Sequence, residues 1–216
     1  MAASHSTLPP SIRLYGILDT LYVSRERWQP LARAMADGGV GMVEIRAKGE
    51  TTPTLIELAR QVEPLFRERD IPMVINDDAE AALAGDNWGL HIGQDDGDPV
   101  SYRKRLGPDR ILGLSTHSLA QAQAAMALPS GTLSYFAVGP VYATETKPDY
   151  PAVGLGLVEA VARMHPALPW FAIGGVNRQT LPAVLQSGAT RVVVVSDILC
   201  DPDPAAASRR MAQMLP

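Results

Sequence analysis

The feature that most constrains this chain is an alternation of short apolar runs with longer amphipathic stretches, sustained from Leu14 almost to the C-terminus. The strand candidates are Leu14–Leu18, Met42–Ile45, Met73–Ile75, Gly89–Ile92, Ile111–Leu114, Tyr135–Val138, Trp170–Ile173 and Val192–Val195. Most are nearly continuous apolar runs, the pattern of parallel strands covered on both faces. Between them lie helix-like segments at Trp28–Asp37, Pro53–Arg69, Ala79–Ala84, Pro99–Leu106, Leu119–Met126, Leu157–Met164, Leu181–Ser187 and Pro204–Met214. In the second, Leu55, Leu58, Ala59, Val62, Leu65 and Phe66 fall at helical spacing, with Glu57, Arg60, Glu63 and Arg67 between them. Repeated strand–helix units of roughly 25 residues predict an α/β fold, a single-domain (β/α)8 TIM barrel. An open doubly wound sheet is the structural alternative, but no Gly-x-Gly-x-x-Gly follows the first strand. Residues 1–12 read as a flexible tail and 13–216 as the barrel.

Charge and cysteine content then narrow the function classes. A formal net charge of −4 offers no global positive field for nucleic acid or anionic lipid. Any anionic ligand must therefore be held by local cations, backbone N–H groups or a metal. Cys200 is the only cysteine, which rules out an intrachain disulfide or a thiolate zinc cluster. The start, MAASHSTLPPSIR, has no apolar core of a secretory signal, and no apolar stretch is long enough to span a membrane. The expectation is a cytoplasmic protein with no membrane or nucleic-acid partner; a homo-oligomer stays open.

Uncommon polar residues recur just after the strands, where a barrel of this kind carries its active site. After the second strand, alternation points Glu44, Arg46 and Lys48 the same way. Two cations there form a phosphate clamp or a surface ion-pair cluster. Asn76-Asp77-Asp78 follows the third strand, and His91-Ile92-Gly93-Gln94-Asp95-Asp96 spans the end of the fourth. Asn-Asp is also good turn and N-cap chemistry, but two neighbouring acidic loops supply hard oxygen ligands that one Mg²⁺ can share. His91 reads as a ligand or base, or more simply as a packed core residue. Ser115-Thr116-His117 follows the fifth strand without a nucleophile elbow. The loop 139–148 carries Thr144, Glu145, Thr146 and Lys147 and is longer than a minimal connection. Gly174-Gly175 after the seventh strand and Val195-Ser196 after the eighth suit the barrel phosphate site, or two tight turns.

In this order, each after its own strand, these motifs resemble the thiamine-phosphate synthase (thiamine-phosphate pyrophosphorylase) family from about Leu14 to Ile198. The residues carrying the likeness are Glu44-x-Arg46-x-Lys48, Asn76-Asp77, His91-x-Gly93-Gln94-x-Asp96, Ser115-Thr116-His117, Gly139 to Lys147, Ile173 to Gly175 and Val194 to Ser196. The resemblance implies a transferase that joins hydroxymethylpyrimidine diphosphate to a thiazole phosphate with Mg²⁺ as cofactor. It implies that Arg46, Lys48, Asn76, Ser115 and Lys147 hold the pyrimidine diphosphate, with Arg46, Lys48, Ser115 and Lys147 catalytic. Asp77 and Asp96 would ligate the metal, and Thr144, Glu145, Thr146, Gly175, Val195 and Ser196 would hold the thiazole phosphate. Glu44 departs from the pattern, because the family usually has Gln there; a carboxylate accepts a hydrogen bond from an exocyclic amine but donates none. Three other readings share the fold: a thiazole tautomerase using His117, a non-catalytic phosphate-ligand binding barrel, and a phosphate-sugar isomerase or aldolase, for which no obvious Schiff-base lysine lies within a strand.

Overall fold

The computed structural model describes residues 8–146 and 150–216. The strands β1 (Leu14–Asp19), β2 (Met42–Arg46), β3 (Met73–Asn76), β4 (Gly89–Ile92), β5 (Leu112–Thr116), β6 (Tyr135–Val138), β7 (Trp170–Ala172) and β8 (Val192–Val194) pair in parallel, each with the next. β8 closes the ring on β1, with Leu14 opposite Val192. The helices are α1 (Trp28–Asp37), α2 (Thr52–Arg67), α3 (Ala79–Leu83), α4 (Pro99–Leu106), α5 (Leu119–Ala127), α6 (Gly154–Arg163), α7 (Leu181–Gln186), α8 (Ser196–Leu199) and α9 (Pro204–Met214). This is the expected (β/α)8 barrel. Among the described residues, no helix is long and apolar enough to cross a membrane.

Strand residues divide by parity into two cores. Outward residues such as Leu18, Val43, Ile75, Leu90, Leu112, Phe136 and Val194 join Trp28, Leu58, Val62 and Phe66 in the layer between sheet and helices. Inward residues Tyr15, Ile17, Met42, Val74, Tyr135, Phe171 and Val193 fill the barrel itself. Tyr15, Tyr135 and Phe171 interlock edge to face, their ring centroids 5.4–5.8 Å apart. Leu8 and Ile12, which the sequence reading put in the tail, are buried in this inner cluster, so the packed chain begins at least as early as Leu8.

Local chemistry starts the helices where the site needs them. Thr51 caps α2 ahead of Pro53, Asp78 caps α3 through the Ala81 amide at 2.9 Å, and Asp98 caps α4 ahead of Pro99. Two elements differ from the expectations. α6 starts at Gly154 rather than Leu157, because glycines at 154 and 156 obscure its apolar period. The four-residue α8 directly after β8 is too short to show a period.

Candidate active site

At the carboxyl ends of the strands a pocket of about 680 Å³, its open mouth included, enters the barrel. Of the residues singled out from sequence, Glu44, Arg46, Asn76, Ser115, Thr144, Thr146, Gly175, Val195 and Ser196 line it, as does His117. Lys48 and Asp77 instead line a neighbouring, more polar cavity, and Asn76 borders both. Asp96 and Glu145 are on neither wall, and Lys147 lies outside the described residues.

Arg46 ends β2 inside the mouth and is only 6% exposed. Its Nη1 donates to Oδ2 of the fully buried Asp19 at 2.7 Å, and its Nη2 donates to the Thr146 carbonyl at 3.1 Å. The third guanidinium nitrogen, Nε, is buried with no partner among the described residues. A buried, unpaired N–H of a cation is costly unless a further acceptor reaches it. Asp19 is a residue that sequence reasoning missed. It was one position beyond the last residue of the first strand run, although its inward parity with Tyr15 and Ile17 marks it. Tyr22 was also missed; its Oη lies 2.9 Å from Thr146 Oγ1 and holds the same loop.

On the neighbouring strands the acidic pair converges. Asp77 adopts a left-handed backbone (φ 61°) and its amide donates to the His91 carbonyl at 2.8 Å. Its carboxylate accepts from Lys48 Nζ at 2.5 Å. Asp96 accepts from the Gly93 amide at 2.6 Å. Burial first, and then the adjacent Asp77, push the Asp96 carboxyl above the usual aspartate range, against the opposing pull of the Gly93 amide and Lys48. Two carboxylates that disfavour each other's charge suit a shared divalent cation. No cluster of three or more His, Cys, Asp or Glu side chains stands ready to hold a metal among the described residues. A cation at Asp77 and Asp96 would have to draw its remaining ligands from bound phosphate and water.

The opposite wall is built from backbone. Gly174 and Gly175 both have positive φ, 95° and 64°. A Cβ on Gly175 would sit 2.6 Å from that of Tyr142, so the β7 turn packs against the β6 loop only as glycine. The Val141 and Tyr142 amides donate to Ile173 and Gly174 carbonyls at 2.8 and 3.0 Å, continuing the sheet past its formal end. α8 starts at Ser196 beside them, and Arg178 pairs with Asp197 at 3.1 Å, joining the β7 turn to α8. A short extra helix after the last strand is the usual companion of a phosphate site in such barrels.

Beneath the mouth lie Glu44, Tyr15, Tyr135 and His91, all buried. His91, read from sequence as a core residue or a base, is inward-facing and hydrogen-bonded through both ring nitrogens. The two tyrosines were not singled out. Burial first, and then the nearby Glu44, hold both phenols well above their ordinary pKa, so they remain protonated donors.

Comparison with known proteins bears on the family and the fold. Residues 14–198 match the family described as thiamine monophosphate synthase. The chain is 42% identical over 200 residues to thiamine-phosphate synthase of Mycolicibacterium vanbaalenii, covering 85% of this chain and 86% of that one. It is also 42% identical over 182 residues to thiamine-phosphate synthase of Acidothermus cellulolyticus, covering 84% and 85%. Among solved structures, thiamine phosphate pyrophosphorylase from Pyrococcus furiosus superposes with a TM-score of 0.82 at 25% identity, covering 94% and 95% of the two chains. A 3-hexulose-6-phosphate synthase, with a TM-score of 0.68 at 18% identity, shares the fold.

Proposed function

The chain belongs to the thiamine monophosphate synthase family, and from that premise we propose that it is a transferase coupling hydroxymethylpyrimidine diphosphate to a thiazole phosphate. The products are thiamine phosphate and diphosphate. The bond from the pyrimidine methylene carbon to the diphosphate oxygen breaks, and its electron pair leaves with diphosphate. The electron-rich aminopyrimidine stabilises the carbocation that remains, and the thiazole nitrogen lone pair forms the new C–N bond. No side-chain nucleophile is required.

One observation supports this assignment above the others: a single pocket has Arg46, Asn76 and Ser115 on one wall and Gly175, Val195 and Ser196 on the facing one. Arg46, its Nε buried and without a partner among the described residues, receives diphosphate oxygens, and Lys48 adds a mobile charge from the neighbouring cavity. Asn76 and Ser115 donate or accept hydrogen bonds that orient the pyrimidine diphosphate, and Lys147 in the loop 139–148 completes its charge neutralisation. Growing charge on the leaving group is what these cations stabilise. Asp77 and Asp96 hold Mg²⁺, which when bound supplies further positive charge to the diphosphate. Thr144, Thr146, Gly175, Val195 and Ser196 hold the thiazole phosphate in line with the methylene carbon, whereas Glu145 is on neither wall and its carboxylate would repel that phosphate. His117 has its Nδ1 2.5 Å from the Gly139 carbonyl and its ring against Tyr150, an anchored arrangement that fits a wall residue better than the proton shuttle of a tautomerase.

Incubating the protein with both substrates and Mg²⁺, and following diphosphate and thiamine phosphate together, tests the proposal. Equimolar formation of the two products is expected, with loss on adding EDTA. Turnover of a thiazole phosphate alone, insensitive to EDTA, would favour the tautomerase reading.

A further inference from the structure

Five buried polar side chains run in one connected line across the barrel interior, from Glu44 to Ser115. Tyr15 Oη is 2.5 Å from Glu44 Oε2 and 3.0 Å from Tyr135 Oη. Tyr135 Oη is 2.8 Å from His91 Nδ1, and His91 Nε2 is 2.9 Å from Ser115 Oγ. Gly113 makes room for this line, since a Cβ there would fall 2.2 Å from the Tyr135 ring. Glu44, His91 and Ser115 reach the pocket, whereas Tyr15 and Tyr135 lie beneath it.

Each phenol has a single proton, so the direction at one end dictates the direction throughout. The Tyr15 phenol is the donor in this contact, and a carboxylate has no proton to give back. Glu44 therefore accepts from Tyr15. With its proton committed, Tyr15 accepts from Tyr135, and Tyr135 in turn accepts from the N–H at His91 Nδ1. In the neutral imidazole the other nitrogen is then bare, and it accepts from the Ser115 hydroxyl. Ser115 is left with only lone pairs to offer the pocket, and the Glu44 carboxylate has no proton to give.

We propose that Glu44 is a positioning residue which, acting through Tyr15 and Tyr135, fixes His91 as its Nδ1–H tautomer and makes Ser115 an obligate acceptor. The pocket floor then selects a ring that presents N–H donors, such as an amino-substituted heterocycle, over an isostere that presents acceptors. A glutamine at this position does not impose this order, because an amide can donate as well as accept. The preference for an amino-substituted ring rests on the synthase reading; the proton order in the resting protein does not.

The test is ¹⁵N–¹H correlation of the full-length, ¹⁵N-histidine-labelled protein without ligand at pH 8, with His91 assigned by a His91→Asn variant. Wild type is expected to show Nδ1 protonated and Nε2 bare. Glu44→Gln and Tyr135→Phe are each expected to move His91 to a mixture of tautomers while circular dichroism remains that of wild type. Tyr135 does not itself line the pocket, yet Tyr135→Phe is expected to lower kcat/KM for the pyrimidine diphosphate about tenfold with KM for the thiazole phosphate unchanged. A wild-type His91 carrying its proton on Nε2, or on both nitrogens, overturns the proposal. So does a Glu44→Gln protein whose His91 is unchanged; if either variant misfolds, the other and the wild-type spectrum still decide. Inactivity of the wild type with both substrates, alongside the expected tautomer, would count against the synthase reading alone.

Discussion

Replacing Asp19 by Asn isolates what holds Arg46 in the mouth. The amide keeps the shape of the side chain, and its oxygen can still accept from the Leu21 amide, which now donates to Asp19 Oδ1 at 2.9 Å. What disappears is the counter-charge of a guanidinium whose side chain is 8% exposed, against a partner that is fully buried. Removing one member of a buried pair typically costs about 3–5 kcal/mol, because the remaining charge stays desolvated. For a domain of this size each kcal/mol corresponds to about 2–4 °C in Tm, so Asp19→Asn should melt roughly 6–20 °C lower. Freed from its anchor, Arg46 no longer holds the Thr146 carbonyl or presents Nε to the ligand. A displacement of about 1 Å at such a group costs about 100-fold in kcat/KM. Calorimetry and steady-state diphosphate release measure the two effects on the same preparation. A variant that melts within 2 °C of wild type (less than about 1 kcal/mol) and turns over normally would refute the view that Asp19 positions Arg46.

The remaining predictions bear on separate parts of the site. Asp96→Asn should reduce Mg²⁺-dependent turnover about 100-fold yet raise Tm slightly at pH 7 without metal. The folded protein holds the Asp96 carboxyl above its ordinary pKa, so ionising it opposes folding. That gain should therefore disappear as the pH falls below about 3.9, where the carboxyl is protonated in both states. Mg²⁺ should also raise the Tm of wild type but not of Asp96→Asn, as thermal shift with and without the metal will report. Lys48→Ala should leave Tm within about 2 °C, because its pair with Asp77 is largely exposed. It should nonetheless raise KM for the pyrimidine diphosphate in steady-state kinetics. Gly175→Ala places a Cβ on a left-handed residue against Tyr142 and should cost about 1–2 kcal/mol by denaturant melts. Its KM for the thiazole phosphate should rise while that for the pyrimidine diphosphate holds.

The barrel was legible because its signal is periodic and repeated. Apolar runs mark every strand, and Pro53, Pro99 and Pro204 mark the starts of three helices. Parity correctly pointed Glu44 and Arg46 inward from β2, but Lys48, two residues past the strand, is turned to the next cavity by the loop. Asn76-Asp77-Asp78 contains both outcomes that its sequence allows: Asp78 caps α3, and Asp77 faces Asp96 and Lys48. What stayed hidden was the interior network. Tyr15 and Tyr135 sit in apolar runs where inward and outward residues look alike, and only closure of the sheet brings positions 120 residues apart to 3.0 Å. α8 escaped notice because four residues carry no period, and Asp19 because the edge of an apolar run is not the end of a strand.

The central claim is that one barrel mouth holds both phosphorylated groups on facing walls. A crystal structure with thiamine phosphate, diphosphate and Mg²⁺ bound tests it most directly. Diphosphate should contact Arg46 and Asn76 with the cation near Asp77 and Asp96, the pyrimidine should lie against Ser115, and the thiazole phosphate should lie against Gly175, Val195 and Ser196. Either phosphate bound elsewhere on the molecule, with these residues untouched, would contradict the account.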